Sequence, residues 1–219
     1  MTAGAERAQG PGAGPGPDWS VDFWLDPACP LTRHTARWIA GLAEGSGLRV
    51  CRRVMSLAVL NEHRDDDPEG DPDGYLWIPA RVAAAVQTEH GHDALGAFYD
   101  ALWTEPDGQG GQGGRGGAER EWIGDIAEAL GRAGLPAALA GAGTSADYDR
   151  ALRASHHAGV DRIDAEIGTP VLAVTAPGGE QCSFFGPVLE TVPGERESLR
   201  LWSALAHLVH VPGFHQLRA

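Results

Sequence analysis

The feature that most constrains this chain is a strand that runs into a cysteine and a proline. Val21-Asp22-Phe23-Trp24-Leu25 has the β-branched and aromatic character of a strand, Cys29-Pro30 follows, and an amphipathic helix begins at once. Leu31, Thr35, Trp38, Ile39 and Leu42 fall at steps of four, three, one and three, which puts them on one helical face. Gly45 and Gly47 stand where a helix should stop. A second strand is expected from Leu48 to Leu57, and the roughly twenty residues between the strands fit a right-handed crossover. The unit is βαβ, with a thiol at the mouth of its helix.

A polar, acidic loop from Asn61 to Gly74 follows, and then only the helical period. Four stripes appear: Ile78, Val82, Ala85 and Val86; Leu95, Phe98, Tyr99 and Leu102; Trp122, Ile123, Ile126, Ala127 and Leu130; Tyr148, Leu152, Ser155, Gly159 and Ile163. GQGGQGGRGG, Gly108 to Gly117, interrupts them; with no strand before it and no Gly-Lys-Ser/Thr after it, it reads as a linker and not as a phosphate loop. The strand period returns at Val171 to Thr175 and Gln181 to Phe185, and a last helix carries Leu199, Trp202, Leu205 and Val209. Residues 1–18, rich in Gly, Ala and Pro without apolar periodicity, are expected to form a disordered tail. The order is βαβ, helices, ββα.

The net charge of −13 argues against nucleic acid as a partner, because backbone-phosphate binding requires clustered cations. No apolar run approaches the ~20 residues of a membrane span, and no apolar h-region opens the chain. A cytoplasmic protein is expected. Its three well-separated cysteines make no disulfide framework.

A thiolate, not a thiol, is the nucleophile in thiol exchange. Cys29 caps a helix begun by Pro30, so unpaired N–H groups and the positive end of the helix dipole face its sulfur. Thr32, at the third helical position, can turn its hydroxyl back to the thiolate. These residues predict a lowered Cys29 pKa and catalytic roles for Cys29 and Thr32; the bland alternative is a buried cysteine followed by a capping threonine. Cys51 and Cys182 fall in strands, where cysteines are usually inert. His34, one turn on, faces either the thiol or solvent. His90-x-His92, His156-His157 and the pair His207 and His210 lack a metal-ligand pattern, and no metal is expected.

Four stretches together resemble one family. VDFWLDPACP, VMSLAVLNEHRDD, SHHAGVDRIDAEIGTP and FFGPVL, in that order, are similar to the DsbA-like, mycothiol-dependent nitroreductases of the thioredoxin superfamily. The resemblance implies an α/β thioredoxin-like fold with an all-helical insertion: residues 19–66 and 166–219 form the thioredoxin-like part and 67–165 the insertion. It implies that Thr169-Pro170 is cis and lies against Cys29, with the backbone of Thr169 holding a thiol ligand; by itself Thr-Pro reads equally as a strand start. Pro30, Leu31, Asn61, Thr169 and Pro170 would surround that thiol, mycothiol or another of low molecular weight, and the small substrate it reduces. Gly186-Pro187 would offer backbone donors, Tyr75 and Trp77 are either pocket cover or core, and His156 and His157 would support the site. The family's second cysteine is absent, because position 32 is threonine. A monothiol oxidoreductase acting on a disulfide or nitroaromatic is therefore the first reading. The alternatives are a transferase or isomerase like the kappa-type glutathione transferases, in which the bound thiol is itself the nucleophile, and a non-catalytic thiol-binding protein. Nothing in the sequence decides between a monomer and a dimer.

Overall fold

A computed structural model describes residues 14–104 and 125–214. The chain alternates as β1 (Ser20–Leu25), α1 (Pro30–Ala43), β2 (Arg49–Val54), α2 (Leu57–Leu60), α3 (Trp77–Leu102), α4 (Ile126–Arg132), a 3₁₀ segment (Ala137–Thr144), α5 (Asp149–Val160), β3 (Val171–Thr175), β4 (Gln181–Phe185) and α6 (Glu195–Leu208). The strands form one sheet in the order β2-β1-β3-β4. β1 pairs parallel to β2 with Leu25 opposite Val54, and antiparallel to β3 with Trp24 opposite Val171. This is the thioredoxin arrangement, with helices between β2 and β3. The linker Gly108 to Gly117, Trp122, Ile123 and the first thirteen residues of the expected tail lie outside the described residues; Gly16 is placed, its carbonyl accepting the Trp19 N–H at 3.0 Å.

Alternation along β1 sends Val21, Phe23 and Leu25 to one face and Trp24 to the other. The first face packs with Trp38 and Ile39 of α1 and Trp202 of α6. Trp24 on the second face joins Met55, Ile163, Val171 and Ala173 under α5. Strand β2 lies at the sheet edge, where unpaired backbone groups invite pairing with other chains. Side chains cover it: Gln87 Oε1 accepts the Val54 N–H at 2.8 Å, Ser155 Oγ donates to the Val54 carbonyl at 2.7 Å, and His92 Nδ1 lies 2.9 Å from the Arg52 carbonyl. His92 thus supports the fold.

Three expectations are corrected. Strand β2 ends at Val54 and not at Leu57, because Ser56 caps a short helix, its Oγ accepting the Val59 N–H. Leu31 is 39% exposed, and Thr32 and Ala36 take the buried positions of α1's first turns. Leu199 is likewise exposed, so α6 buries Trp202, Leu205 and Ala206. The stripes before and after His90 belong to one long helix broken at Gly91, whose φ of 84° suits only glycine without strain. No helix among the described residues is long and apolar enough to cross a membrane.

Gly159 of α5 sits directly on the indole of Trp24, where a Cβ would approach ring carbons to 2.6–2.8 Å. Alanine in mid-helix ordinarily stabilises relative to glycine. Here the clash reverses the sign: Gly159→Ala is expected to destabilise the protein by about 1–3 kcal/mol, read as a lowered denaturation midpoint.

Candidate active site

The loop between β1 and α1 carries the chemistry, and every carbonyl along it from Leu25 to Pro27 has a partner. The Leu25 carbonyl accepts the Met55 N–H at 3.2 Å and the Tyr99 hydroxyl at 3.1 Å. The Asp26 carbonyl accepts the Cys29 N–H at 3.3 Å, and the Pro27 carbonyl accepts the Trp103 indole N–H at 3.0 Å. Tyr99 and Trp103 stack with ring centroids 5.0 Å apart, one turn from each other on the last turn of α3. The helical segment therefore positions a loop that belongs to the sheet.

Inside this loop lies a residue that sequence reasoning missed. Asp26 is 0% exposed, and its carboxylate accepts the N–H of Ala28 at 2.5 Å and that of Leu57 at 2.6 Å. Burial raises its pKa to about 7, opposed by those two hydrogen bonds and assisted by the charge of Glu69. The signal was present: Asp-Pro at a strand end, with the carboxylate bonding the backbone two residues on, is an Asx turn. Ser56, beside Leu57, gives its N–H to Nδ1 of buried His156 at 3.3 Å. Burial first, and then the neighbouring His157, lower the His156 pKa to about 4, so the ring is neutral near pH 7, with its proton on Nε2. His157 is exposed and faces Asp161.

Cys29 caps α1 with an extended backbone, and Pro30 opens the helix. The Thr32 hydroxyl and the backbone N–H groups of Thr32 and Leu31 favour its anion, as the sequence suggests. Burial outweighs them. The thiol is only 9% exposed, and desolvation, assisted by the nearby Asp26 charge, pushes its pKa up. The expected lowered pKa is corrected: a helix terminus contributes about a kilocalorie per mole, less than the burial of a charge costs.

The peptide bond between Thr169 and Pro170 is cis. The Thr169 side chain accepts the Asp26 N–H at 3.2 Å and lies 3.2 Å, oxygen to oxygen, from the Thr32 hydroxyl, so the first turn of α1 meets the proline loop through two threonines. Gly186-Pro187 is also cis, but it offers no donor: the Gly186 N–H bonds the Pro170 carbonyl at 2.8 Å, proline has none, and the Pro187 carbonyl accepts the Thr35 hydroxyl at 2.8 Å. Asn61 ends α2 and donates to Glu69 at 2.8 Å, which places it beside the Asp26 side of the site. Tyr75 is exposed, while Trp77 stacks between Arg81 and Arg153, 5.0 and 5.4 Å from its ring centroid.

Cys51 and Cys182 are free thiols at the far end of the sheet. Cys51 pairs with Asp22 of β1, and Cys182 pairs with Val174, itself opposite Val21, whereas Cys29 follows Leu25. At ~3.3 Å per strand residue each is about 10 Å or more from the helix mouth, beyond the ~7 Å Cα limit of a disulfide. No group of three or more His, Cys, Asp or Glu among the described residues could hold a metal. Cavities of about 310 and 610 Å³ open elsewhere, the first beside Tyr148 and the second between α1 and α6; neither is lined by Cys29.

Comparison with known proteins identifies the family. The model of the family described as Rv2466c-like, mycothiol-dependent nitroreductase Rv2466c, matches residues 28–219. "Uncharacterized protein Rv2286c" of Mycobacterium tuberculosis is 28% identical over 200 residues, covering 91% of this chain and 81% of that one. Among solved structures, a Nitrosomonas europaea protein assigned as a protein disulfide isomerase aligns with a TM-score of 0.50 at 14% identity, covering 88% of this chain and 98% of that one; the likeness is one of fold. The cytosolic disulfide reductase DsbM from Pseudomonas aeruginosa aligns at 0.45 and 16% identity, covering 85% and 96%.

The raised Asp26 pKa has a thermodynamic sign. The folded state holds the Asp26 proton more tightly than the unfolded chain, so the associated stability is complete below about pH 4 and is lost as pH rises to about 7. The unfolding free energy of the wild type minus that of Asp26→Asn should therefore fall across this window, by at most ~1.4 kcal/mol per pH unit, and flatten above it. Urea titrations of both proteins from pH 4 to 8 measure the difference; a flat difference would contradict the assignment.

Proposed function

The chain belongs to the Rv2466c-like family of mycothiol-dependent nitroreductases, and from that premise we propose that it works as a monothiol reductase in which Cys29 exchanges with a low-molecular-weight thiol, mycothiol in the first place. Thiol-dependent oxidoreduction is the family's chemistry; the single-cysteine route is the reading specific to this chain. One observation carries it: the thiol at the helix mouth has Thr32 where a resolving cysteine would stand, and the other two cysteines lie at the opposite end of the sheet.

The cycle has two exchanges. The Cys29 thiolate attacks one sulfur of a mixed disulfide of substrate and mycothiol, its bond to the mycothiol sulfur forms, and the substrate leaves as a thiolate that takes up a proton. A second mycothiol, as its thiolate, attacks the mycothiol sulfur in the Cys29 adduct, releasing Cys29 and oxidised mycothiol. The second mycothiol has lost one electron and the substrate sulfur has gained one; the first mycothiol entered at the disulfide level and leaves at it. A nitroaromatic acceptor, which takes two electrons and two protons to give the nitroso compound and water, would require two reduced mycothiols, joined as mycothiol disulfide. In this reading the backbone N–H and carbonyl of Thr169 align the ligand as an added strand, Pro170 and exposed Leu31 and Pro30 flank it, Asn61 meets its polar end on releasing Glu69, and the Thr32 hydroxyl holds the leaving Cys29 thiolate.

One observation favours a second reading. The Cys29 thiol is buried and its pKa is raised, which suits a kappa-type mechanism where the bound thiol is the nucleophile and Cys29 is never oxidised. Intact-mass measurement after incubation with mycothiol disulfide separates the two. The expected outcome is one mycothiol added to the wild type, none to Cys29→Ser, and release of the adduct by reduced mycothiol. Thiol conjugation to an electrophile without any adduct would overturn the monothiol cycle.

Thr32→Cys supplies the missing partner within α1's first turn. It is expected to convert the adduct into an internal disulfide, seen as an unmodified mass two hydrogens short after the same incubation.

A further inference from the structure

The two buried threonines do more than fill space between α1 and the proline loop. Each hydroxyl has one hydrogen to give and can accept from others. The Thr169 oxygen already accepts the Asp26 N–H at 3.2 Å, and it lies 3.2 Å from the Thr32 oxygen. Thr32 is fully buried and Thr169 nearly so, so water does not readily serve these groups. Cys29, next along the line, makes no cap hydrogen bond of good geometry as a thiol, although the Thr32 hydroxyl is close enough to favour its anion.

The hydrogens allow two arrangements. If Thr32 donates to Thr169, the Thr169 oxygen accepts twice and its own hydrogen must find another partner. If Thr169 donates to Thr32, the Asp26 N–H, the Thr169 hydroxyl and the Thr32 hydroxyl each point one step nearer to the sulfur, and the last hydrogen needs an acceptor. A thiolate is that acceptor. In this arrangement each donor in the line has a partner, and hydrogen bonds in series in a low-dielectric interior strengthen one another.

We propose that the Thr169 side chain is a positioning residue: it passes an oriented hydrogen bond from the Asp26 backbone to the Thr32 hydroxyl, and so aims that hydroxyl at the Cys29 thiolate. The role is separate from that of the Thr169 backbone, which any residue before the cis proline supplies. It explains why the first buried position of α1 is a hydroxyl and not an aliphatic side chain. It rests on Cys29 being the reacting thiol of the proposed function but not on which disulfide it meets.

The test follows Cys29 alkylation by iodoacetamide across pH 7–10.5, with peptide mass spectrometry to separate it from Cys51 and Cys182. Thr169→Val should raise the apparent Cys29 pKa by about half a unit, roughly a threefold loss of thiolate at any pH below it. Thr169→Ser, which restores the hydroxyl, should return the wild-type profile. In a Thr32→Val background the Thr169→Val change should add nothing, because the relay is already cut. Thr169→Ala carries the same expectation should the valine variant fold poorly. An unchanged profile in the hydroxyl-free variants, failure of serine to rescue, or shifts that add in the double variant would overturn the relay. Because iodoacetamide needs no thiol ligand, a shifted profile with no mycothiol adduct would leave the relay standing and remove the exchange cycle.

Discussion

Burying the Asp26 carboxylate is the constraint around which the rest of the structure is arranged. A carboxylate without water must be given donors or give up its charge. Two are supplied by backbone N–H groups from separate places in the chain, Ala28 in its own loop and Leu57 at the start of α2. That joins the end of β1 to the segment that leaves β2. The Asp26 N–H reaches Thr169 and joins the same loop to the proline turn, while Tyr99 and Trp103 close it from α3. Three other chain segments, the start of α2, the proline turn and the end of α3, thus converge on the loop that ends β1. The mutual satisfaction of their polar groups joins these segments around the loop that carries Cys29.

The same burial sets the reactivity of the thiol. A helix N-terminus and a hydroxyl favour the thiolate, but a dry site and a neighbouring carboxylate oppose it, and the opposing effects win in the ligand-free protein. The helical segment reaches the site through backbone groups: Tyr99 and Trp103 donate to the Leu25 and Pro27 carbonyls, and His156 accepts the Ser56 N–H.

Much of this was legible in the sequence. The strand running into Cys29-Pro30, the return of strand period after Pro170 and the apolar steps along α1, α3 and α5 follow from local preference and periodicity, which the chain carries in consecutive residues. The motif stretches likewise implied a cis bond between Thr169 and Pro170, and the structure holds that bond cis with Thr169 against Thr32. Less legible were the details that depend on rotation by one position: Leu31 faces outward and Thr32 inward because the entry angle of α1, not its periodicity, decides which residue of the first turn meets the proline loop.

What the sequence by itself determined is the order of elements, the fold class and the place of Cys29 at the mouth of α1, since each is written in neighbouring residues. What only the tertiary structure decided is the environment of that thiol. Asp26 reads in sequence as an ordinary turn residue, and Cys29 as an activated cap. Their pKa values are raised first of all by the removal of water, and the loop that holds them is bonded by Leu57, Thr169, Tyr99 and Trp103, between 31 and 143 residues from the groups they meet. Desolvation and long-range hydrogen bonding are properties of the packed chain, and no local pattern specifies them.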